Sequence, residues 1–184
     1  MQELKNNTEN YSELNLTIKD NFLEDEFFKE LHKSIIFKKW DPIENIYLTT
    51  GKHVWHSCKV ENNLINFFKE KIENKFNVKI KNFLYGLTYT MVSNIQQESV
   101  HYDKEEPGKN FNAQFLYYVN GNTELTNGTG FYTKIDDVYQ LSTHVGFVEN
   151  RALLFKNKVV HSPLKFLSKD NKPRFSIIAF LLIE

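Results

Sequence analysis

The sequence predicts a mainly β protein, a double-stranded β-helix (jelly roll) with N-terminal helices packed against one sheet. Three observations predict it. Two amphipathic helical patterns come first in the chain. From about Val78 the texture changes to short runs rich in Ile, Val, Tyr, Phe and Thr, separated by turn residues. The 184 residues are 41% hydrophobic and include 16 Phe, enough apolar material for one core and one domain over 1–184.

The elements follow in order. Residues 1–14 read as a flexible polar lead-in. Leu14-Asn15-Leu16-Thr17-Ile18 alternates apolar and polar residues and predicts a strand. Asp20 or Asn21 is placed to cap a helix whose apolar face carries Leu23, Phe27, Leu31 and Ile35. Residues 38–60 read as irregular. Leu64, Phe68, Ile72 and Phe76 then mark a second helix. The jelly-roll core spans 79–184, with strands predicted near 79–92, 98–103, 111–119, 129–133, 143–149, 151–155, 158–162 and 174–182. Turns are expected at Pro107-Gly108, Asn120-Gly121, Asn127-Gly128 and Lys169-Asp170-Asn171.

Composition excludes several function classes. Lys plus Arg equals Asp plus Glu at 23 each, so no long-range field draws the protein to nucleic acid or an anionic membrane. A single cysteine, Cys58, forms no internal disulfide and suits a reducing compartment. Residues 1–13 lack the apolar centre of a secretory signal, and no stretch approaches the roughly 18 apolar residues of a membrane span. The expectation is a cytoplasmic protein with no nucleic-acid or membrane partner; the oligomeric state is not legible.

The chemistry centres on His101-Tyr102-Asp103. On a strand, positions i and i+2 share a face, so an imidazole and a carboxylate project together. Alone the pair is weak, because composition yields such pairs by chance. His161 follows the apolar run Ala152-Leu153-Leu154-Phe155 and closes Val159-Val160, which places a third ligand on a later strand. Two histidines and one carboxylate on one side of a metal make the facial triad of non-haem iron oxygenases, with the remaining positions open. Arg174 opens the last strand and shares a face with Ser176. An inward guanidinium in an apolar strand calls for an anionic partner, and a carboxylate suits its planar fork. Tyr117 is read as facing the same pocket.

With these residues in place the sequence resembles the Fe(II)/2-oxoglutarate-dependent oxygenases, in particular their prolyl-hydroxylase-like branch. His101-x-Asp103, His161 and Arg174-x-Ser176 match the pattern in identity and order. Phe115-Leu116-Tyr117-Tyr118-Val119-Asn120 resembles the strand after the first metal pair. Gly128-Thr129-Gly130-Phe131-Tyr132 and Asn150-Arg151-Ala152-Leu153-Leu154-Phe155 resemble two later strands. The resemblance implies Fe(II) on His101, Asp103 and His161. It implies 2-oxoglutarate as co-substrate, its far carboxylate on Arg174 with Ser176 and Tyr117. It also implies dioxygen as oxidant and ascorbate as a stimulant. The implied reaction hydroxylates an unactivated C–H bond of a prolyl or other protein side chain. A free amino acid or small metabolite is the alternative substrate, and a non-catalytic jelly-roll binding module is the alternative function. The chain departs from the branch where a Tyr usually precedes the first ligand by nine or ten residues; Val92 and Met91 stand there. Phe180 stands where nucleic-acid demethylases carry a second arginine, which argues against a nucleic-acid substrate.

Other polar residues have plainer readings. His53-x-x-His56-x-Cys58 lacks a fourth ligand and the paired spacing of structural zinc sites. His32 is expected to be solvated, and His144 to begin a strand near the site. Trp40 and Trp55 are read as covering the seam between helices and sheet, with a lid over the substrate as the alternative.

Overall fold

The structure is a computed structural model that describes residues 8–11, 15–42, 55–92, 100–103, 110–164 and 172–184. Eleven strands and two α-helices are built from them, in the order β1 (Thr8–Tyr11), β2 (Leu16–Lys19), α1 (Asp25–Ser34), β3 (Asp41–Pro42), β4 (Trp55–Lys59), α2 (Asn62–Phe76), β5 (Ile80–Val92), β6 (Ala113–Asn120), β7 (Glu124–Ile135), β8 (Val138–Phe147), β9 (Arg151–Lys156), β10 (Val160–Pro163) and β11 (Arg174–Ile183). All pairings between strands are antiparallel. One sheet has the order β1-β2-β9-β6-β11-β5-β4-β3, and a smaller one the order β10-β7-β8.

Four short strands interleave with the helices, so the helices do not simply precede the sheets. Thr8–Tyr11, expected as lead-in, pairs with β2 instead. The expected cap of the first helix also differs. Both Asp20 carboxylate oxygens accept from Arg151, at 2.5 and 2.8 Å, and Asn21 has a φ of +51°. Helix α1 therefore starts later, with Glu24 as its N-cap residue and Asp25 and Glu26 in a first turn that favours negative charge. Helix α2 ends where Asn77 turns left-handed at φ +53°, its N–H bonding back to the Glu73 carbonyl.

The large sheet has two buried faces, divided by the alternation of its strands. On one face Phe115, Tyr117, Val119, Ile177 and Leu181 pack with Phe22, Leu31 and Ile35 and with Phe68 and Ile72 of α2. The helices lock together through Phe27 and Phe67, whose ring centroids are 4.3 Å apart. On the other face Tyr118, Leu153 and Phe155 meet Phe131, Val145 and Phe147 of the small sheet. Trp40 lies 5.5 Å from Phe175, at the seam rather than over a cavity.

The small sheet is longer than the sequence predicts. Residues 129–133 and 143–149 grow into β7 and β8, joined at Asp136-Asp137 with φ of +48° and +63°, a two-residue hairpin that the turn signals missed. Asn127-Gly128 is not a turn but an irregularity inside β7. Gly128 has a φ of +138°, and a Cβ there would meet the Val145 carbonyl at 2.0 Å. The turns expected at Pro107-Gly108 and Lys169-Asp170-Asn171 lie outside the described residues. Among the described residues no helix is long and apolar enough to cross a membrane.

Candidate metal centre

Strand β10 carries His161 opposite Phe131 of β7. Its ring is edge-on to Phe155, with centroids 5.2 Å apart, and only 11% of the side chain is exposed. Nδ1 donates to the Val159 carbonyl at 2.9 Å, which leaves Nε2 as the lone-pair atom. Burial holds the imidazole below its ordinary pKa, partly opposed by the nearby Asp103 carboxylate. A metal needs this neutral form.

His101 does not lie on the regular strand expected over 98–103. Residues 100–103 form no strand, and 93–99 lie outside the described residues. A single reciprocal bridge to His161 places it instead, His101 N to His161 O at 3.0 Å and His161 N to His101 O at 2.8 Å. Asp103 then turns back between the two rings, with Oδ2 at 3.5 Å from His161 Nε2 and Oδ1 at 3.9 Å from His101 Nε2. One donor atom from each of the three lies within 4.8 Å of the others. Ligands about 2.1 Å from one ion lie at most roughly 4.2 Å apart, so a small closing movement seats an ion. Two neutral imidazoles and one carboxylate are a donor set that suits a divalent first-row metal.

The three residues line one end of a cavity of about 190 Å³ between the sheets. Val92, Leu116, Phe155, Ile178 and Phe180 make its walls largely apolar. Arg174, at the start of β11, is a second charged group in those walls and is 5% exposed. Its Nη1 donates to the Gly128 carbonyl at 3.2 Å, and the guanidinium sits 5.8 Å over the Phe147 ring. Burial lowers its pKa from the ordinary value, which marks the cost of holding a cation there. Ser176, two residues on, lines the same cavity and is buried.

Tyr117 is not in the cavity. It points the other way, into the helix-covered face, where its hydroxyl donates to Asn150 Oδ1 at 2.9 Å and its ring lies 5.1 Å from Phe22. Its neighbour Tyr118 takes the cavity position, in register with Ser176 and with its hydroxyl 2.7 Å from Thr129 Oγ1. The expected parity was off by one residue. The row Gln114, Leu116, Tyr118 was missed with it. Their parity follows from the pairing of Ser176 with Tyr118, which needs the register of two distant strands.

The remaining histidines stand apart. His32 is not free in solvent, since its Nε2 is 3.1 Å from Glu149 Oε1. His144 is exposed on β8 and does not line the cavity. His56 and Cys58 sit on β4, and His53 lies outside the described residues.

Comparison with solved structures finds the same fold in known proteins. A prolyl hydroxylase from Trichoplax adhaerens, solved with a hypoxia inducible factor peptide fragment, superposes with a TM-score of 0.66 at 12% identity, over 91% of this chain and 83% of that one. A prolyl-4-hydroxylase from Pseudomonas putida superposes with a TM-score of 0.58 at 11% identity, over 91% of each chain. The chain shares the fold of these two prolyl hydroxylases. That fold also serves SnoN, an α-ketoglutarate-dependent epimerase of nogalamycin biosynthesis, which matches at a TM-score of 0.63 and 10% identity, over 91% of this chain and 77% of that one. No family model matches the sequence, and no curated protein matches it.

Proposed function

We propose that this protein is an Fe(II)- and 2-oxoglutarate-dependent oxygenase that hydroxylates an unactivated C–H bond. The observation that carries the reading is one apolar cavity holding both a His-Asp-His donor set and a buried guanidinium. A simple binding module has no use for both.

His101, Asp103 and His161 hold the metal from one side. Bound there, iron supplies the activation of dioxygen that couples decarboxylation of 2-oxoglutarate to C–H oxidation. The chain's own groups orient and enclose. Val159 fixes the His161 tautomer, so Nε2 meets the metal without a change of protonation. Arg174 takes the far carboxylate of the co-substrate, with the Ser176 hydroxyl and the Tyr118 phenol beside it; Tyr118 replaces Tyr117 in this role. Phe147 and the Gly128 carbonyl hold the guanidinium in place, so little ordering remains on binding. The apolar walls keep water from the reacting end.

The substrate reading is a prolyl or other side chain of a protein, supported by the peptide held by the Trichoplax enzyme. A free small molecule is the second reading, because SnoN, an epimerase of nogalamycin biosynthesis with the same fold, is solved in complex with nogalamycin RO. The test is succinate release by protein supplied with Fe(II), 2-oxoglutarate and air, with peptide and amino-acid mixtures added in turn. Absence of succinate in every mixture, together with failure to bind Fe(II) and 2-oxoglutarate, sinks the proposal.

A further inference from the structure

Gln114 is a polar side chain that the reading above leaves without a task. It is 5% exposed, lies on the cavity wall, and its Nε2 meets no hydrogen-bond acceptor among the described residues. Its partners across the sheet are Phe155 and Phe180, whose side chains offer none. A buried amide N–H left unpaired is costly, and an apolar residue of the same size avoids the cost. Phe155 is edge-on to His161, so Gln114 stands at the metal end of the cavity. Arg174 stands six residues before Phe180 on β11, towards the other end of the same cavity wall. The cavity volume of about 190 Å³ compares with roughly 30 Å³ for one water, room for one molecule the size of the co-substrate.

We infer that Gln114 binds the co-substrate: its amide N–H donates to an oxygen at the metal-chelating end of 2-oxoglutarate, at the opposite end of the cavity from Arg174. This rests on the oxygenase reading of the cavity. Two probes separate the ends. Oxalate offers a chelating carboxylate pair but is too short to reach Arg174, whereas 2-oxoglutarate spans both.

The experiment titrates each ligand into Mn(II)-loaded protein by calorimetry. Gln114→Leu is expected to weaken both ligands by about tenfold or more, the effect of losing a hydrogen bond to a charged acceptor. Gln114→Glu, which sets carboxylate against carboxylate, weakens both at least as much. Arg174→Met weakens 2-oxoglutarate far more than oxalate. The melting temperature of Gln114→Leu stays level or rises, because a purely structural amide would lower it on removal. Wild-type affinity for both ligands in Gln114→Leu overturns the inference. If the wild-type protein itself takes neither ligand, the oxygenase reading has failed and this one falls with it.

Discussion

Tyr117 and Tyr118 are neighbours in sequence, equally buried, and differ entirely in employment. Tyr117 hydrogen-bonds Asn150 and sits in the core under the helices; Tyr118 borders the cavity with Thr129 and Ser176. The same contrast runs along every central strand. On the helix-covered face Tyr89, like Tyr117, finds its partner within the protein, donating to Glu61 at 3.0 Å. On the cavity face Gln114 holds an amide that meets no acceptor among the described residues, beside the donor atoms of His101, Asp103 and His161. One sheet thus separates stability from chemistry by the parity of its residues.

That separation can be broken in graded steps. The largest effect is expected from Asp103→Ala. Loss of a ligand exceeds the 10- to 100-fold typical of the groups behind ligands, so Fe(II)-dependent succinate formation falls by at least about 100-fold. Stability changes by less than about 0.5 kcal/mol, since the carboxylate is partly exposed. Turnover that survives in this variant removes the metal assignment. Arg174→Met comes next. It raises the 2-oxoglutarate concentration for half-maximal turnover by roughly 10- to 100-fold, with urea stability kept, because a buried cation gives way to an apolar side chain. Asn150→Ala probes the opposite face. Asn150 accepts from Leu23 N–H and Tyr117 and donates to the Leu23 carbonyl, each at 2.9 Å. Its loss costs about 2–4 kcal/mol of unfolding free energy, read from the urea midpoint, while the folded protein binds 2-oxoglutarate as before. The smallest and sharpest pair is Tyr117→Phe against Tyr118→Phe. The first lowers stability by about 1 kcal/mol and leaves the co-substrate requirement alone. The second raises that requirement a few-fold. Identical behaviour of the two would mean that the faces are not independent.

These contrasts also show what a sequence can reveal. The convergence of His101, Asp103 and His161 was legible because His and Asp carry chemistry that few structural roles need, and the inward burial of Arg174 because a guanidinium in an apolar strand needs a reason. Helix α2 was legible from the fourfold spacing of Leu64, Phe68, Ile72 and Phe76. Tyr118 was not, for a physical cause. Strand β6 is covered on both sides, so all eight of its residues from Ala113 to Asn120 are uncharged and six are apolar, with no alternation to reveal which way each points. The hairpin at Asp136-Asp137 was missed because Asp tolerates the left-handed region less obviously than Gly or Asn. The position of His101 was reached by the wrong route, a strand in place of one bridge.

That bridge has a consequence for how such a site can vary over time. The distance between the two histidines is set by a pair of peptide hydrogen bonds, each between main-chain atoms. No side chain nearby has to keep its identity for the distance to hold. Residues around the centre can therefore change, one substitution after another, while the main-chain spacing of the two histidines is held.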